Sequence, residues 1–270
     1  MPSHAAREFQ RLVEIVAALR APGGCPWDRE QTLDTLRPFV LEEAYEVLHA
    51  IEIGDLQALR SEIGDFIFEG VLLAQVAAEL GHFTVADSLA DITDKLIRRH
   101  PHVFGGAEPA GTAGEVLGRW EEMKARERTG DQAQHTILSG IPRALPSLLR
   151  AYEMSSRASV VGFDWAAAAH VVGKIEEEVA ELRQAVEQDR LAGTGRAEEE
   201  MGDLLFALAN LARKLGIEPE AALRRANDKF ARRFDELERR FAARGVSLQQ
   251  TDLQTMESEW GRIKNEEAEG

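Results

Sequence analysis

The sequence predicts an all-α protein made of two similar helical halves. Apolar residues recur at helical intervals, as in Phe9, Leu12, Val13 and Val16, and alternating strand patterns do not occur. Ala, Leu, Glu and Arg dominate, whereas Tyr occurs only twice. Blocks of acidic and basic residues also occur twice in the same order. Periodicity and composition indicate the fold class, and the recurrence indicates a tandem duplication.

Glycine and proline divide the chain into helical segments, and the second half shows the same period as the first. One apolar stripe there consists of Ile175, Val179, Leu182 and Val186, and the next of Met201, Leu204, Leu205, Leu208 and Leu215. The Gly- and Pro-rich stretch around residues 100–113 indicates an irregular connector. We therefore expect an N-terminal helical domain at 1–105, a connector with helices at 106–150 and a C-terminal helical domain at 151–270.

The duplication rests on three matched blocks. The pattern Glu-Glu-x-x-Glu ends at Glu46 and Glu181, Glu-x-x-Asp ends at Asp65 and Asp203, and Asp-Lys-x-x-Arg-Arg ends at Arg99 and Arg233. The separations of corresponding residues are 135, 138 and 134 positions. Such small differences are expected from insertions in loops or at helix ends.

Composition excludes several classes of protein. The 270 residues carry 47 acidic and 32 basic side chains, a net charge of -15 that argues against a nucleic-acid polymer as partner. One cysteine, Cys25, rules out an intramolecular disulfide and a cysteine metal cluster. No apolar run approaches the roughly 20 residues that cross a bilayer, and Met1 to Arg20 lacks the apolar block of a signal peptide. We expect a cytoplasmic protein without a membrane partner.

Paired carboxylates are the strongest functional signal. Glu178 is expected roughly 70° from the centre of its apolar stripe, and the next helix carries its acidic pair in the same way, so packing would bring four carboxylates together. Four such groups repel one another unless a cation is present. Carboxylates without His or Cys select hard cations such as Mg²⁺, which retains waters and accepts phosphate oxygens. The predicted ligands are Glu178, Glu181, Glu200 and Asp203, and in the first half Glu43, Glu46, Glu62 and Asp65.

Cations follow the acids where a polyphosphate would need them. Lys229, Arg232 and Arg233 share one predicted helix, and Asn227 lies just upstream. Lys229 and Arg233 are four residues apart and therefore share a face. These two are the better candidates for binding phosphate.

Together, these motifs resemble the MazG family of nucleoside triphosphate pyrophosphohydrolases, all-α enzymes related to the dimeric dUTP pyrophosphatases. The resemblance covers most of the chain. Its signature, Glu-Glu-x-x-Glu followed by Glu-x-x-Asp, is present in both halves. Other carriers are Cys25-Pro26-Trp27-Asp28, the segment from Asp94 to Phe104, Glu200-x-Gly202-Asp203-Leu204-Leu205-Phe206 and Ala226-Asn227-Asp228-Lys229-Phe230.

The resemblance implies hydrolysis of ribo- and deoxyribonucleoside triphosphates to a monophosphate and pyrophosphate by a homodimer. It implies Mg²⁺, with Mn²⁺ as an alternative, on the four C-terminal carboxylates. Glu177 and Glu178 would act in catalysis with Lys229, Glu177 as a base or water-orienting group. The residues implied in substrate binding are Lys174, Asn227, Lys229, Arg233 and Trp260.

The two halves differ at polar positions. Phe39 stands where the second half has Lys174, and Thr93 stands where it has Asn227. We therefore expect the main site in the C-terminal half and an N-terminal site that is weaker, differently selective or structural.

Two alternatives remain open at this point. Glu46-x-x-His49 fits the ligand pattern of di-iron carboxylate bundles, although the second half supplies no matching His. A scaffold that senses nucleotides or dimerises without turnover is the non-enzymatic alternative. The sequence leaves base and sugar preference, the attacked phosphorus and the physiological role undecided.

Overall fold

A computed structural model describes residues 3–106, 111–112, 136–192 and 195–269. Helices, turns and bends make up these residues, with no strand among them, so the predicted all-α fold is confirmed. Most of the expected connector, residues 107–110 and 113–135, lies outside the described parts. The helices are α1 (His4–Arg20), α2 (Pro26–Glu30), α3 (Arg37–Ile53), α4 (Leu56–Glu79), α5 (Val85–Arg99), α6 (Pro101–Phe104), α7 (Ser147–Val160), α8 (Ala168–Ala192), α9 (Arg196–Lys214), α10 (Pro219–Ala243) and α11 (Leu253–Glu269), with a 3₁₀ turn at Leu248–Gln250.

The antiparallel pair α3 and α4 organises the N-terminal half. Gly54 ends α3 in the left-handed conformation that glycine adopts without strain. Asp55 then caps α4 by accepting hydrogen bonds from the backbone N–H groups of Gln57 and Ala58. The tight turn packs the two helices side by side. Their acidic motifs consequently face the same seam.

The core of this half lies toward the C-terminal end of α4. Its buried cluster consists of Val16, Leu36, Val71, Leu72 and Val76. Arg20 connects three segments at this end of the helix. Its guanidinium pairs with Glu79 at 2.7 Å and donates hydrogen bonds to the backbone carbonyls of Asp28 and Gln31. These bonds join α1, α4 and the α2 turn and fix the position of Asp28.

The C-terminal half is built around α9, which packs against α8 and α7. Asp164, in the loop before α8, accepts hydrogen bonds from Arg213 at 2.5 Å and Lys214 at 2.6 Å. Burial opposes ionisation of Asp164, yet these bonds outweigh it and lower its pKa. Farther along, α10 and α11 bury Leu237, Phe241 and Ile263 together.

Burial differs from the expectation at the acidic helices. Four members of the apolar stripe predicted for the second acidic helix are exposed, Met201, Leu205, Leu208 and Leu215, and so is Val186 of the first. Helix α9 instead buries Ala207, Ala209 and Asn210. These small side chains let the helices pack closely, and the larger apolar side chains of α9 lie on its exposed face. An equivalent outward face in the first half carries Ile63, Phe66 and Ile67.

The chain divides into two compact units, Met1–Trp120 and Glu121–Gly270. The domain boundaries expected at 105/106 and 150/151 remain a prediction. No helix in the described parts combines the length and apolar character needed to span a membrane.

Candidate metal and nucleotide site

Three of the four predicted C-terminal metal ligands lie together. Glu178 and Glu181 come from α8 and Glu200 from α9, and one carboxylate oxygen of each lies within 4.8 Å of the others. The i, i+3 spacing places the first two on neighbouring positions of α8, and the antiparallel packing brings Glu200 to them. Three carboxylates at this separation can share one divalent cation.

Glu178 is the buried centre of this group, with 5% of its surface exposed. Its Oε2 is buried and receives no hydrogen bond from the described residues. Its Oε1 lies 2.8 Å from Lys174 Nζ, and the same ammonium donates to Glu177 Oε1 at 2.9 Å. The hydrogen bonds to Glu178 and then Glu177 raise the pKa of Lys174, which is therefore a cation at neutral pH.

The fourth predicted ligand stands apart from the other three. Asp203 lies one turn beyond Glu200 on α9, is exposed, and is not among the carboxylates within 4.8 Å of one another. Arg196 is an additional neighbour that the sequence analysis missed, at 3.3 Å from Glu200 Oε1. Its i, i+4 spacing to Glu200 was the available signal.

The predicted substrate-binding residues other than Lys174 lie on α10 and α11. Lys229 and Asn227 are exposed on α10. Arg233 is paired with Glu267 of α11, at 2.7 Å between Nε and Oε2. Trp260 packs on Phe230, with ring centroids 5.2 Å apart. Within the described residues, no hydrogen bond or ion pair joins these groups to the acidic group.

The N-terminal half repeats the carboxylate group without its lysine. Glu43, Glu46 and Glu62 have oxygens within 4.8 Å of one another. Burial, followed by repulsion from Glu46 and Asp65, raises the pKa of Glu43. Burial and Glu46 likewise raise the pKa of Glu62. Among the described residues, no side chain forms an ion pair with these three carboxylates, so negative charge is concentrated there.

Both groups suit a hard divalent cation. Their donors are carboxylate oxygens, the ligands that Mg²⁺ and Mn²⁺ accept. The buried, unpartnered Oε2 of Glu178 is the kind of atom that a bound cation would satisfy. His49, required by the di-iron alternative, is exposed and belongs to neither group among the described residues. The site geometry thus gives no support to an iron centre.

Comparison with known proteins gives independent evidence on the family to which this chain belongs. The family model of the MazG nucleotide pyrophosphohydrolase domain matches twice, at residues 31–104 and 169–237. A nucleoside triphosphate pyrophosphohydrolase of Escherichia coli (strain K12) is 49% identical over 261 residues, covering 96% of this chain and 98% of the relative. A Thermotoga maritima protein named nucleoside triphosphate pyrophosphohydrolase/pyrophosphatase MazG is 39% identical over 256 residues, with 95% of each chain covered.

A more distant relative, the nucleoside triphosphate pyrophosphohydrolase of Mycobacterium tuberculosis, is 34% identical over 158 residues, which is 57% of this chain and 46% of that protein. The two family matches fall one in each half and cover both carboxylate groups. The tandem duplication inferred from the repeated blocks is therefore confirmed. The chain belongs to the MazG family and carries the family's domain twice.

Proposed function

We propose that this protein hydrolyses nucleoside triphosphates, ribo and deoxyribo, to a nucleoside monophosphate and pyrophosphate at its C-terminal carboxylate group. The observation that carries the proposal is the convergence of Glu178, Glu181 and Glu200 around a buried, unpartnered carboxylate oxygen. The names of two relatives that match almost the whole chain support the same reaction.

Glu178, Glu181 and Glu200 would hold Mg²⁺ or Mn²⁺, with Asp203 as a fourth ligand. When bound, such an ion neutralises phosphate charge and lowers the pKa of a coordinated water. Cleavage breaks the bond between the bridging oxygen and one phosphorus of the α–β linkage, and water supplies the new P–O bond. The β- and γ-phosphates leave together as pyrophosphate, and the α-phosphate stays on the nucleoside as the monophosphate.

The protein's own groups position and assist this reaction. Glu177 would accept the proton of the attacking water, since its carboxylate lies beside the acidic group and shares Lys174 with Glu178. The Lys174 ammonium would hold a phosphate oxygen. Lys229 and Arg233 would bind the triphosphate and stabilise the leaving pyrophosphate.

Asn227 and Trp260 would contact the nucleoside. The indole of Trp260, tilted against Phe230, offers an aromatic face for a base. The Arg233 guanidinium would exchange its bond to Glu267 for a phosphate.

We also propose that the working form is a homodimer, formed through the outward apolar faces of the acidic helices. Met201, Leu205 and Leu208 follow one another at helical spacing on α9, and all three are exposed. A contiguous apolar face of this kind is typical of an interaction surface. In the homodimer this surface would pack against a second copy of the chain.

Product analysis tests the reaction. The purified protein is incubated with a panel of ribo- and deoxyribonucleoside triphosphates, with and without Mg²⁺, and the products are identified by phosphorus NMR. We expect monophosphate and pyrophosphate only with Mg²⁺. Diphosphate and orthophosphate would refute the cleavage position. Nucleotide binding without turnover across the panel would favour the nucleotide-sensing scaffold instead.

A further inference from the structure

The C-terminal half contains an apolar cavity of about 300 Å³, bounded by α7, α9 and the loop that leads into α8. Aromatic side chains form much of its wall: Phe163 and Trp165 come from the loop and Phe206 from α9. Ser155 and Asn210 add polar groups to the lining. Such a cavity suits a flat, mostly apolar ligand that makes a few polar contacts.

Asn210 carries an amide that the protein uses at one end only. The residue is 2% exposed, and its Oδ1 accepts two hydrogen bonds from Arg213, from Nε at 3.0 Å and from Nη2 at 2.9 Å. A guanidinium can only donate, so it fixes which end of the amide is the oxygen. The Nδ2 group donates no hydrogen bond to any described residue. Because a buried donor without an acceptor is costly, Nδ2 calls for an acceptor from a ligand in the cavity.

Arg213 also holds the aromatic loop in place. Its Nη2 lies 2.5 Å from Asp164 Oδ1, and Lys214 donates to Asp164 and to the backbone carbonyl of Trp165. The loop is therefore bonded to the same end of α9 as Asn210. Donor and walls are positioned before a ligand arrives, which lowers the entropic cost of binding.

The first half has an apolar side chain at the matching position. The two Glu-x-x-Asp motifs are 138 residues apart, and the same offset relates Asn210 to Leu72. Leu72 is fully buried in the apolar core with Val16 and Leu36. A leucine is thus sufficient for packing at this position of the domain. The amide of the second half serves another purpose.

The cavity lies beyond the proposed metal ligands along α9. Asn210 follows Asp203 by seven residues, so the two lie on the same face to within about 20° and about 10 Å apart along the axis. A ribose and a base can bridge that distance from phosphates bound at the acidic group. Leu205, on the face proposed for the homodimer, is about 140° from Asn210 around the helix. A homodimer formed there would leave the cavity accessible.

We propose that this cavity binds the base of the substrate and that Asn210 Nδ2 donates to an oxo group on it. The enzyme would then prefer guanine, hypoxanthine, uracil and thymine to adenine and cytosine. The inference rests on the proposed hydrolysis of nucleoside triphosphates and names the bases that this site accepts best. Asn227 and Trp260 would contact the rest of the nucleoside.

The direction of the preference follows from the lining groups. Asn210 is the most buried lining residue, and the exocyclic group is the part of a base edge that reaches deepest. An oxo oxygen there accepts from Nδ2, whereas an amino group would bring two donors together. Ser155 already donates its hydroxyl to the Tyr152 carbonyl, which leaves its lone pairs for the ring N–H beside the oxo group.

ITP and ATP test the proposal because they differ only at one edge of the purine, oxo in ITP and amino in ATP. Steady-state kinetics with Mg²⁺ give kcat/KM for each. Isothermal titration calorimetry with their α,β-methylene analogues, which resist cleavage at that linkage, gives affinities that do not depend on turnover. The variants are Asn210→Leu, which copies Leu72, and Asn210→Asp, whose carboxylate can only accept. Asn265→Leu, at an exposed position of α11, is the matched control. Circular dichroism checks the fold of each.

We expect the parent and Asn265→Leu to favour the inosine nucleotide about tenfold or more in both kcat/KM and affinity. Asn210→Leu should remove this preference, and Asn210→Asp should reverse it. If Asn210→Leu fails to fold, Asn210→Asp alone decides. Equal values for both nucleotides in the parent, or an unchanged ratio in the folded Asn210 variants, would overturn the proposal and leave Asn210 as an anchor for Arg213.

The two measurements separate this proposal from the proposed function. Hydrolysis of ITP and ATP without preference would overturn the base contact and leave the reaction standing. Selective binding of the inosine analogue without turnover of either triphosphate would support the base contact and refute the reaction.

Discussion

Lys174 Nζ lies 2.8 Å from Glu178 Oε1. Of the two carboxylate groups found among the described residues, only the one that contains Glu178 is paired with a lysine. The same ammonium reaches Glu177 at 2.9 Å. Phe39 occupies the equivalent position in the first half. This is one of two polar differences between the half expected to hold the main site and the half whose site is expected to be weaker, differently selective or structural.

Replacing Lys174 by methionine tests its role at the phosphate. We expect kcat/KM for the hydrolysed triphosphate to fall about 100-fold, the usual effect of removing one donor to a developing charge. Steady-state kinetics of Lys174→Met at saturating Mg²⁺ measure this. Arg183→Met, an exposed cation on the same helix, is the control. Equal activity of the two variants would remove Lys174 from the site.

Glu267 should restrain Arg233. Because their 2.7 Å ion pair must open for Arg233 to bind phosphate, Glu267→Gln is expected to lower KM by up to about fivefold, as for a partly exposed pair worth about 1 kcal/mol. Initial rates across a range of substrate concentrations provide the comparison, with Glu257→Gln as control. A higher KM in Glu267→Gln would mean that Glu267 positions Arg233 productively.

Glu259 predicts a pH dependence of stability. It is 3% exposed and receives bonds from Arg244 at 2.8 Å, Arg262 at 3.0 Å and Arg240 at 3.1 Å. The Arg244 bond, followed by Arg240, lowers its pKa below the ordinary 4.5. The unfolded chain therefore binds the proton first, and stability from Glu259 is present above pH 4.5 and is lost as pH falls toward the lowered pKa.

Urea unfolding between pH 3 and pH 7 checks this dependence. We expect Glu259→Gln to be less stable than the parent near pH 7 by about 3 kcal/mol, as for a broken buried ion pair, and the difference to shrink on acidification. Glu257→Gln should follow the parent at every pH. A difference for Glu259→Gln that stays constant with pH would contradict an ionic contribution.

The proposed homodimer depends on the outward face of α9. Leu205→Lys should place a charge in the interface and yield monomers, since a buried unpaired charge is strongly unfavourable. Light scattering after size-exclusion chromatography gives the mass. Leu253→Lys, at another exposed apolar position, should remain dimeric. A monomeric parent protein would refute the assembly itself.

Local spacing was sufficient to predict much of the fold and site. Helical periodicity predicted the fold class, and the i, i+3 pairs predicted that Glu178, Glu181 and Glu200 meet. Spacing could not predict the burial of Glu178 or the outward face of α9, because both depend on which residues the helices pack with. Small residues such as Ala207 decide that packing.

Ion pairs between residues far apart in the sequence could not be predicted from local spacing. The bond between Arg233 and Glu267 joins two helices through residues that are 34 positions apart in the sequence. The roles of Asp203, Asn227 and Trp260 and the cytoplasmic location stay predictions.

The most direct measurement compares Mg²⁺-dependent pyrophosphate release by Glu178→Ala, Glu43→Ala and Glu176→Ala. Glu176 is an exposed neighbour on α8 and serves as the matched control. We predict that Glu178→Ala abolishes release while Glu43→Ala and Glu176→Ala retain it. Full activity in Glu178→Ala, or loss in Glu43→Ala alone, would contradict a working site in the C-terminal half.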